Sequence, residues 1–305
     1  MKIKLPGQVE IQEVVLRDGI QNEKKIIPTQ AKIDLIGKLV SCGVRRIEVS
    51  SFVNPRLVPQ MADAEDLWSG LVRYKDVILS ALILSRGGME RAVKCGVGRV
   101  GIFVSASETH SMRNSRRTVG EALSEALMLI SEAKSQGVSV RAGVMNAFGC
   151  AYEGVVPADK VIELCRRLCG AGPDELCLAD TSGLGDPRLI RDTISRLRKV
   201  RMKTALPGLS LHLHNTRDRG LANLYAALEE GVCIFDASLG GLGGCPFIEG
   251  ARGNIATEDA VSVLHDMGIA TGIDLERLVQ TSLEFEKILG KPFPAMVPHL
   301  GPCRS

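Results

Sequence analysis

The sequence predicts an α/β fold: a (β/α)8 TIM barrel with an additional C-terminal helix and an irregular tail. Three observations predict it. Eight short β-branched or apolar runs alternate with eight longer segments of helical period. No low-complexity linker interrupts the alternation. The alternation also closes within roughly the 250 residues that such a barrel uses. At 305 residues the chain has room for two average domains or one large one, and the unbroken rhythm favours a single domain over 1–305, with the barrel at about 9–270.

The units follow in order. Strand Val9–Val15 precedes a helical pattern at 29–42, which stops at Ser41-Cys42-Gly43. Arg46–Ser50 precedes 63–72. Val77–Leu82 precedes 87–95, which stops at Lys94-Cys95-Gly96. Arg99–Val104 precedes 118–136, which stops at Ser135-Gln136-Gly137. Val138–Val144 precedes 157–171, and Glu175–Ala179 precedes 186–200. Leu209–His214 precedes 217–230, which stops at Glu229-Glu230-Gly231, and Cys233–Leu239 precedes 256–267. Glycine just past a helix supplies the left-handed turn that ends it. Residues 274–289 form one further amphipathic helix, and 291–305 are a proline-rich tail. An open doubly wound sheet is the alternative. Against it, no dinucleotide fingerprint follows the first strand, and Gly240-Gly241-Leu242-Gly243-Gly244 runs into Cys245-Pro246 with no Lys-Ser/Thr.

Composition narrows the function. Hydrophobic residues are 45% and charged ones 24%, the proportions of a packed globular protein. Lysine and arginine number 38 against 35 acids, a net charge of +3, and aromatics are 4%. Neither bulk electrostatics nor stacking platforms therefore suit a nucleic-acid partner. No run reaches the length needed to span a membrane, and no secretory signal is visible. Nine scattered cysteines, with Cys165 and Cys169 at helix-face spacing, fit a reduced, cytoplasmic protein better than a zinc knuckle.

In such a barrel, chemistry sits at the carboxyl ends of the strands. Polar residues collect there: Arg17-Asp18-Gly19 after strand 1, Glu48 on strand 2, Asn146 after strand 5 and Asp180-Thr181 after strand 6. Strand 7 ends in His212-Leu213-His214-Asn215. Strand 8 carries Asp236 and opens into a loop with Cys245, Glu249, Asn254 and Glu258. In a strand, residues i and i+2 share a face, so His212 and His214 can converge on one ion at the mouth. Two polar core histidines are the plainer alternative; the acids on neighbouring strand ends favour a metal. Asp18, the two imidazoles and the Asn254 amide form a mixed, largely oxygen set that suits Mg²⁺ or Mn²⁺ better than structural zinc. An Arg-Asp pair is usually a solvated surface pair. Between an apolar strand and a turn glycine, Arg17 instead sits at the rim, where it can meet a developing oxyanion. Cys245 lies in a glycine-rich run too flexible to be core, so it can arrive with a closing loop; the other eight cysteines are assigned to packing.

These residues resemble the 3-hydroxy-3-methylglutaryl-CoA lyase family. The matching stretches are LRDGIQNE (16–23), IEVSSFVNPRLVPQMAD (47–63), GCAYEG (149–154), ADTSGLG (179–185), HLHNTRDRGLAN (212–223) and GGLGGCPFIEGARGNIATED (240–259). The Arg-Asp-Gly and H-x-H elements alone are shared with isopropylmalate and homocitrate synthases. The resemblance implies a divalent metal held by Asp18, His212, His214 and Asn254, supported by Glu48. It implies Arg17 on the thioester carbonyl, Asp180, Gln21 and Asn146 beside the substrate, Cys245 acting from a mobile loop, and Glu258 ordering that loop. It further implies a homodimer, an acyl-CoA substrate and retro-Claisen cleavage, with His212 or Asp180 as base. Departures at Leu16, Ile20, Ser85, Ala151 and Arg217-Asp218-Arg219 bear on the acyl group rather than the reaction. A citramalyl-CoA-type lyase, a condensing synthase and a silent acyl-CoA-binding barrel are the alternatives.

Overall fold

The computed structural model describes residues 5–72, 74–200, 207–244 and 253–300. Eight parallel strands close into a barrel in sequence order, β1 pairing with both β2 and β8. They are β1 (Glu10–Glu13), β2 (Arg46–Ser51), β3 (Ile78–Ile83), β4 (Arg99–Ser105), β5 (Ser139–Met145), β6 (Glu175–Asp180), β7 (Gly208–Leu213) and β8 (Ile234–Ala237). Helices α1 (Thr29–Ser41), α2 (Ala64–Gly70) and α3 (Arg86–Lys94) follow the first three strands. After β4 come α4 (Glu108–Ser115) and α5 (Val119–Ser135). Then come α6 (Ala158–Cys169), α7 (Pro187–Lys199), α8 (Gly220–Glu229) and α9 (Thr257–Asp266), with α10 (Leu275–Leu289) and α11 (Val297–Leu300) closing the described chain.

The helices form for local reasons and stay because one face is buried. In α7 the Asp186 carboxylate accepts from the Arg188 and Leu189 N–H groups, a cap that contributes about 1 kcal/mol. Ile190, Ile194 and Leu197, at helical spacing, then turn into the core. Thr118 and Glu121 build a reciprocal capping box on α5. The four glycines read as helix stops, Gly43, Gly96, Gly137 and Gly231, all have positive φ. At Gly43 a Cβ would stand 2.1 Å from the Gly272 carbonyl oxygen, so no other residue fits there.

Four local expectations are corrected. β1 ends at Glu13 rather than Val15, because the buried Glu13 carboxylate accepts the Val15 N–H and the chain winds into a π turn, Val15–Gly19. β8 likewise stops at Ala237; Ser238 bridges to Ala256, and Leu239 N–H turns to Glu13. Helix α4 carries no apolar stripe, burying only His110 and Ser111, so periodicity could not announce it. It is held by Ser107, whose hydroxyl accepts the His110 N–H. The tail contains one helical turn, α11, because the Asp259 carboxylate accepts the Met296 and Val297 N–H groups.

The barrel interior holds a buried column of ion pairs beside the ring of Phe103. Arg46 of β2 pairs with Glu10 and Glu175, and Arg99 of β4 with Glu175. Arg141 of β5 lies 2.8 Å from both Glu175 and Asp236. A column of alternating charges thus rises from the amino end of the strands towards the carboxyl end. Buried charges persist only when paired in this way.

Candidate active site

The carboxyl ends of β1, β7 and β8 meet at one point. The π turn after β1 presents Arg17 and Asp18, and β7 presents His212 with His214 just beyond it. Asn254 stands opposite His214 through an isolated bridge. Asp18 Oδ2 lies 3.6 Å from His214 Nε2 and 3.9 Å from His212 Nε2. The two Nε2 atoms are 3.0 Å apart. Among the described residues, Asp18, His212 and His214 are a group able to hold a metal ion.

The two Asp18 oxygens do different work. Oδ1 accepts from Arg17 Nη1 at 2.7 Å and Gln21 Nε2 at 2.8 Å. Oδ2 faces the imidazoles and accepts from Asn254 Nδ2 at 2.7 Å. Burial by itself would raise the Asp18 carboxyl. Arg17 first, then the two neighbouring imidazoles, outweigh it and hold the acid well below the usual carboxylate range. Glu48, buried on β2, takes the Nε of Arg17. Burial works against the Arg17 charge, but Glu48 and Asp18 overcome it, so the guanidinium stays protonated at any working pH.

The donor set fits a divalent cation. Asn254 donates to Asp18 and to the Leu242 carbonyl, while its buried Oδ1 has no hydrogen-bond partner among the described residues. His214 Nδ1 is equally unpartnered. Two ring nitrogens and a charged oxygen converge with a spare amide oxygen beside them, a mixed set typical of oxygen-preferring divalent ions. The backbone closes round this set at Gly243 (φ +104), where a Cβ would stand 2.6 Å from Asn254 Nδ2 and 3.1 Å from Asp18 Oδ2.

The other expected residues sort into two groups. Asp180, buried at the end of β6, accepts the Leu184 and Gly185 N–H groups; burial raises its carboxyl, against the pull of those bonds and of both histidines. It therefore belongs to the same mouth. Asn146 (φ +56) donates its backbone N–H to Thr181, accepts from the Ser182 hydroxyl at 2.8 Å and reaches Ser105, bracing the ends of β4, β5 and β6. Glu258, on α9, lies beneath the mouth, both oxygens accepting the Gly240 N–H at the root of the glycine run. Burial pushes its carboxyl up to about 8. Cys245 and Glu249 lie outside the described residues.

Sequence reasoning placed Asp236 on strand 8 without giving it a role, and it missed Glu13. Asp236 accepts from His212 Nδ1 at 3.0 Å, and Arg141 grips Asp236 through both of its terminal nitrogens. The signal was an arginine in mid-strand, between Val140 and Ala142, which demands a buried acid somewhere across the barrel. Glu13 carried no such signal. Its Oε1 accepts both the Val15 N–H, which opens the turn carrying Asp18, and the Leu239 N–H, which roots the glycine run. One buried carboxylate thus ties two site-bearing segments together.

Comparison with known proteins adds three findings. A family model described as HMGL-like matches residues 8–283. The hydroxymethylglutaryl-CoA lyase YngG of Bacillus subtilis (strain 168) is 39% identical over 290 residues, covering 95% of this chain and 96% of that protein. Two solved structures superpose over nearly the whole chain. The HMG-CoA lyase of B. subtilis has a TM-score of 0.93 at 38% identity, covering 97% of this chain and 98% of its own. An Acinetobacter baumannii HMG-CoA lyase in complex with coenzyme A and 3-methylmalate has a TM-score of 0.92 at 37% identity, covering 98% and 97%.

Proposed function

The chain belongs to the HMGL-like family, and from that premise we propose that it cleaves 3-hydroxy-3-methylglutaryl-CoA, or a close tertiary 3-hydroxyacyl-CoA, into acetyl-CoA and a 3-oxoacid such as acetoacetate. The observation that carries the reading is the convergence of Asp18 Oδ2, His212 Nε2 and His214 Nε2 beside a guanidinium fixed by two acids. A relative of the same length and shape has been solved with coenzyme A, which supports an acyl-CoA substrate.

The geometry supports the following roles for the described residues. Asp18, His212, His214 and Asn254 would hold Mg²⁺ or Mn²⁺. When bound, the cation would acidify the substrate's tertiary hydroxyl and grip its carboxylate end. His212 has one ring nitrogen turned to Asp236 and the other to the ligand cluster, so neither is free to take the hydroxyl proton. Asp180, raised by burial and near both imidazoles, is the better acceptor. As the carbon–carbon bond breaks, negative charge moves to the thioester oxygen. Arg17, immobilised by Glu48 and Asp18, is the preorganised cation to receive it. The enolate carbon then needs a proton, and we assign that donation to Cys245. Gln21 steadies Asp18, Asn146 braces the neighbouring strand ends, and Glu258 anchors the root of the glycine run. No described helix is long and apolar enough to cross a membrane; a cytoplasmic homodimer is the setting we propose.

The test is a panel of 3-hydroxyacyl-CoA thioesters with Mg²⁺ or Mn²⁺, followed by acetyl-CoA release. Release from 3-hydroxy-3-methylglutaryl-CoA above all others is expected. Free thiol appearing from acetyl-CoA and a 2-oxoacid, with no cleavage, would establish a condensing synthase instead. Ligand binding with neither reaction would leave only a binding protein.

A further inference from the structure

We propose that Asp236, clamped by Arg141, is a positioning residue that fixes His212 in the tautomer with its proton on Nδ1, so that the Nε2 lone pair faces the cation site. The inference rests on the metal reading above and extends it to two residues that carry no role in it.

The three side chains form a buried line across the barrel. His212 Nδ1 lies 3.0 Å from Asp236 Oδ2. Arg141 donates from Nη1 to the same oxygen at 3.0 Å and from Nη2 to Oδ1 at 2.8 Å. Arg141 is itself held by the Ser210 hydroxyl, the Cys177 sulfur and Glu175. An ionised carboxylate only accepts hydrogen bonds, so the ring nitrogen that meets it must carry the hydrogen. Arg141 donates to both oxygens of Asp236, the two-point grip that a guanidinium makes on a charged carboxylate. Neutral imidazole has one N–H, and placing it on Nδ1 leaves Nε2 as the donor atom for a cation.

His214 supplies an internal contrast. Its Nδ1 is buried with no hydrogen-bond partner among the described residues, so nothing of this kind sets its tautomer. Among the described residues, an oriented acid therefore meets the Nδ1 of only one of the two imidazoles. An Arg141–Asp236 ion pair kept only for stability would not need the third contact. Oδ2 accepts both the guanidinium and the ring, which couples the pose of the acid to the pose of the ligand.

Asparagine at 236 is the discriminating change. It is the same size, but its NH₂ must meet a donor: turned one way it faces Arg141 Nη2, turned the other it faces both Arg141 Nη1 and His212. The second pose drives the imidazole hydrogen onto Nε2, against the cation. Metal-free wild type, Asp236→Asn, Asp236→Glu and His214→Gln would each be titrated with Mn²⁺ by calorimetry and electron paramagnetic resonance. Circular dichroism would confirm that each retains its fold. We expect Asp236→Asn to bind Mn²⁺ roughly 10- to 100-fold more weakly, with Asp236→Glu in between. Imidazole ¹⁵N–¹H spectra of the metal-free wild type, which need no variant to fold, should show His212 protonated at Nδ1.

The outcomes separate cleanly. Wild type that binds Mn²⁺, with Asp236→Asn binding equally well, overturns the positioning role and leaves the metal reading standing. An Nε2-protonated His212 in the wild type overturns it on its own. Wild type that binds no Mn²⁺ overturns the metal reading itself, and with it the purpose given to Asp236.

Discussion

The Nε2 atoms of His212 and His214 face each other at 3.0 Å, with Asp18 Oδ2 3.6 Å from the second. Two ring nitrogens and an acid aimed at one spot are not a core arrangement; apolar residues would fill that volume at lower cost. The arrangement predicts that a chelator abolishes turnover and that Mg²⁺ or Mn²⁺ restores it. His214→Gln should lose cation affinity and turnover together while keeping its melting temperature within a few degrees. Chelator-resistant turnover in the purified protein would remove the cation from the reaction.

Arg17 is pinned at two atoms, Nε to Glu48 and Nη1 to Asp18, which makes it a fixed charge rather than a mobile one. Preorganised donors act on the transition state, so Arg17→Gln should lower kcat by about 10²–10³ with a smaller change in KM. Arg17→Lys should recover little, because a single ammonium cannot span both acids in the same geometry. A steady-state split in which KM rises and kcat holds would reassign Arg17 to ground-state binding.

Gly243 gives a test of how tightly the backbone surrounds the ligand set. Its φ of +104 favours glycine, and a methyl group there would press on Asn254 Nδ2 at 2.6 Å. Gly243→Ala should therefore weaken Mn²⁺ binding at least several-fold. A backbone cost of about 1–3 kcal/mol should accompany it as a lower melting temperature. The wild-type cation affinity in a destabilised Gly243→Ala would show that Asn254 is not a ligand.

The barrel was legible because strand alternation and helix-ending glycines are local signals, and Gly43, Gly96, Gly137 and Gly231 all take the left-handed conformation expected of them. The ligand cluster was legible for the same reason: His212 and His214 share a face by period alone. What escaped were non-local devices. Glu13 ends β1 early by capturing Val15 N–H and reaches Leu239, 226 positions along the chain. Asp236 matters only because β5 sets Arg141 beside it. Helix α4, capped by Ser107 and nearly free of buried apolar residues, had no periodicity to read. Asp218 holds a positive φ of 54, a left-handed conformation that aspartate tolerates better than most residues.

Two buried acids also give stability a pH dependence of definite sign. Burial pushes Glu13 up to about 7 and Glu258 up to about 8, from a usual value of 4.5, against the hydrogen bonds that favour their charged forms. The folded protein therefore keeps these protons after the unfolded chain has released them. Stability falls wherever the native state binds more protons, so these groups lower it progressively from about pH 4.5 to pH 8. Asp236, lowered to about 2 from 3.8, acts oppositely and weakens the fold only as the pH drops below 4. The melting temperature of metal-free protein should thus decline between pH 5 and 8. Glu258→Gln, which has no proton to lose, should remove its share of that decline from about pH 4.5 to 8, and Glu13→Gln its share from about pH 4.5 to 7. Scanning calorimetry at half-unit steps checks this. Parallel curves for wild type and both variants would mean that neither carboxyl is protonated in the native state, and that each instead binds its Gly240 or Leu239 N–H as a full anion.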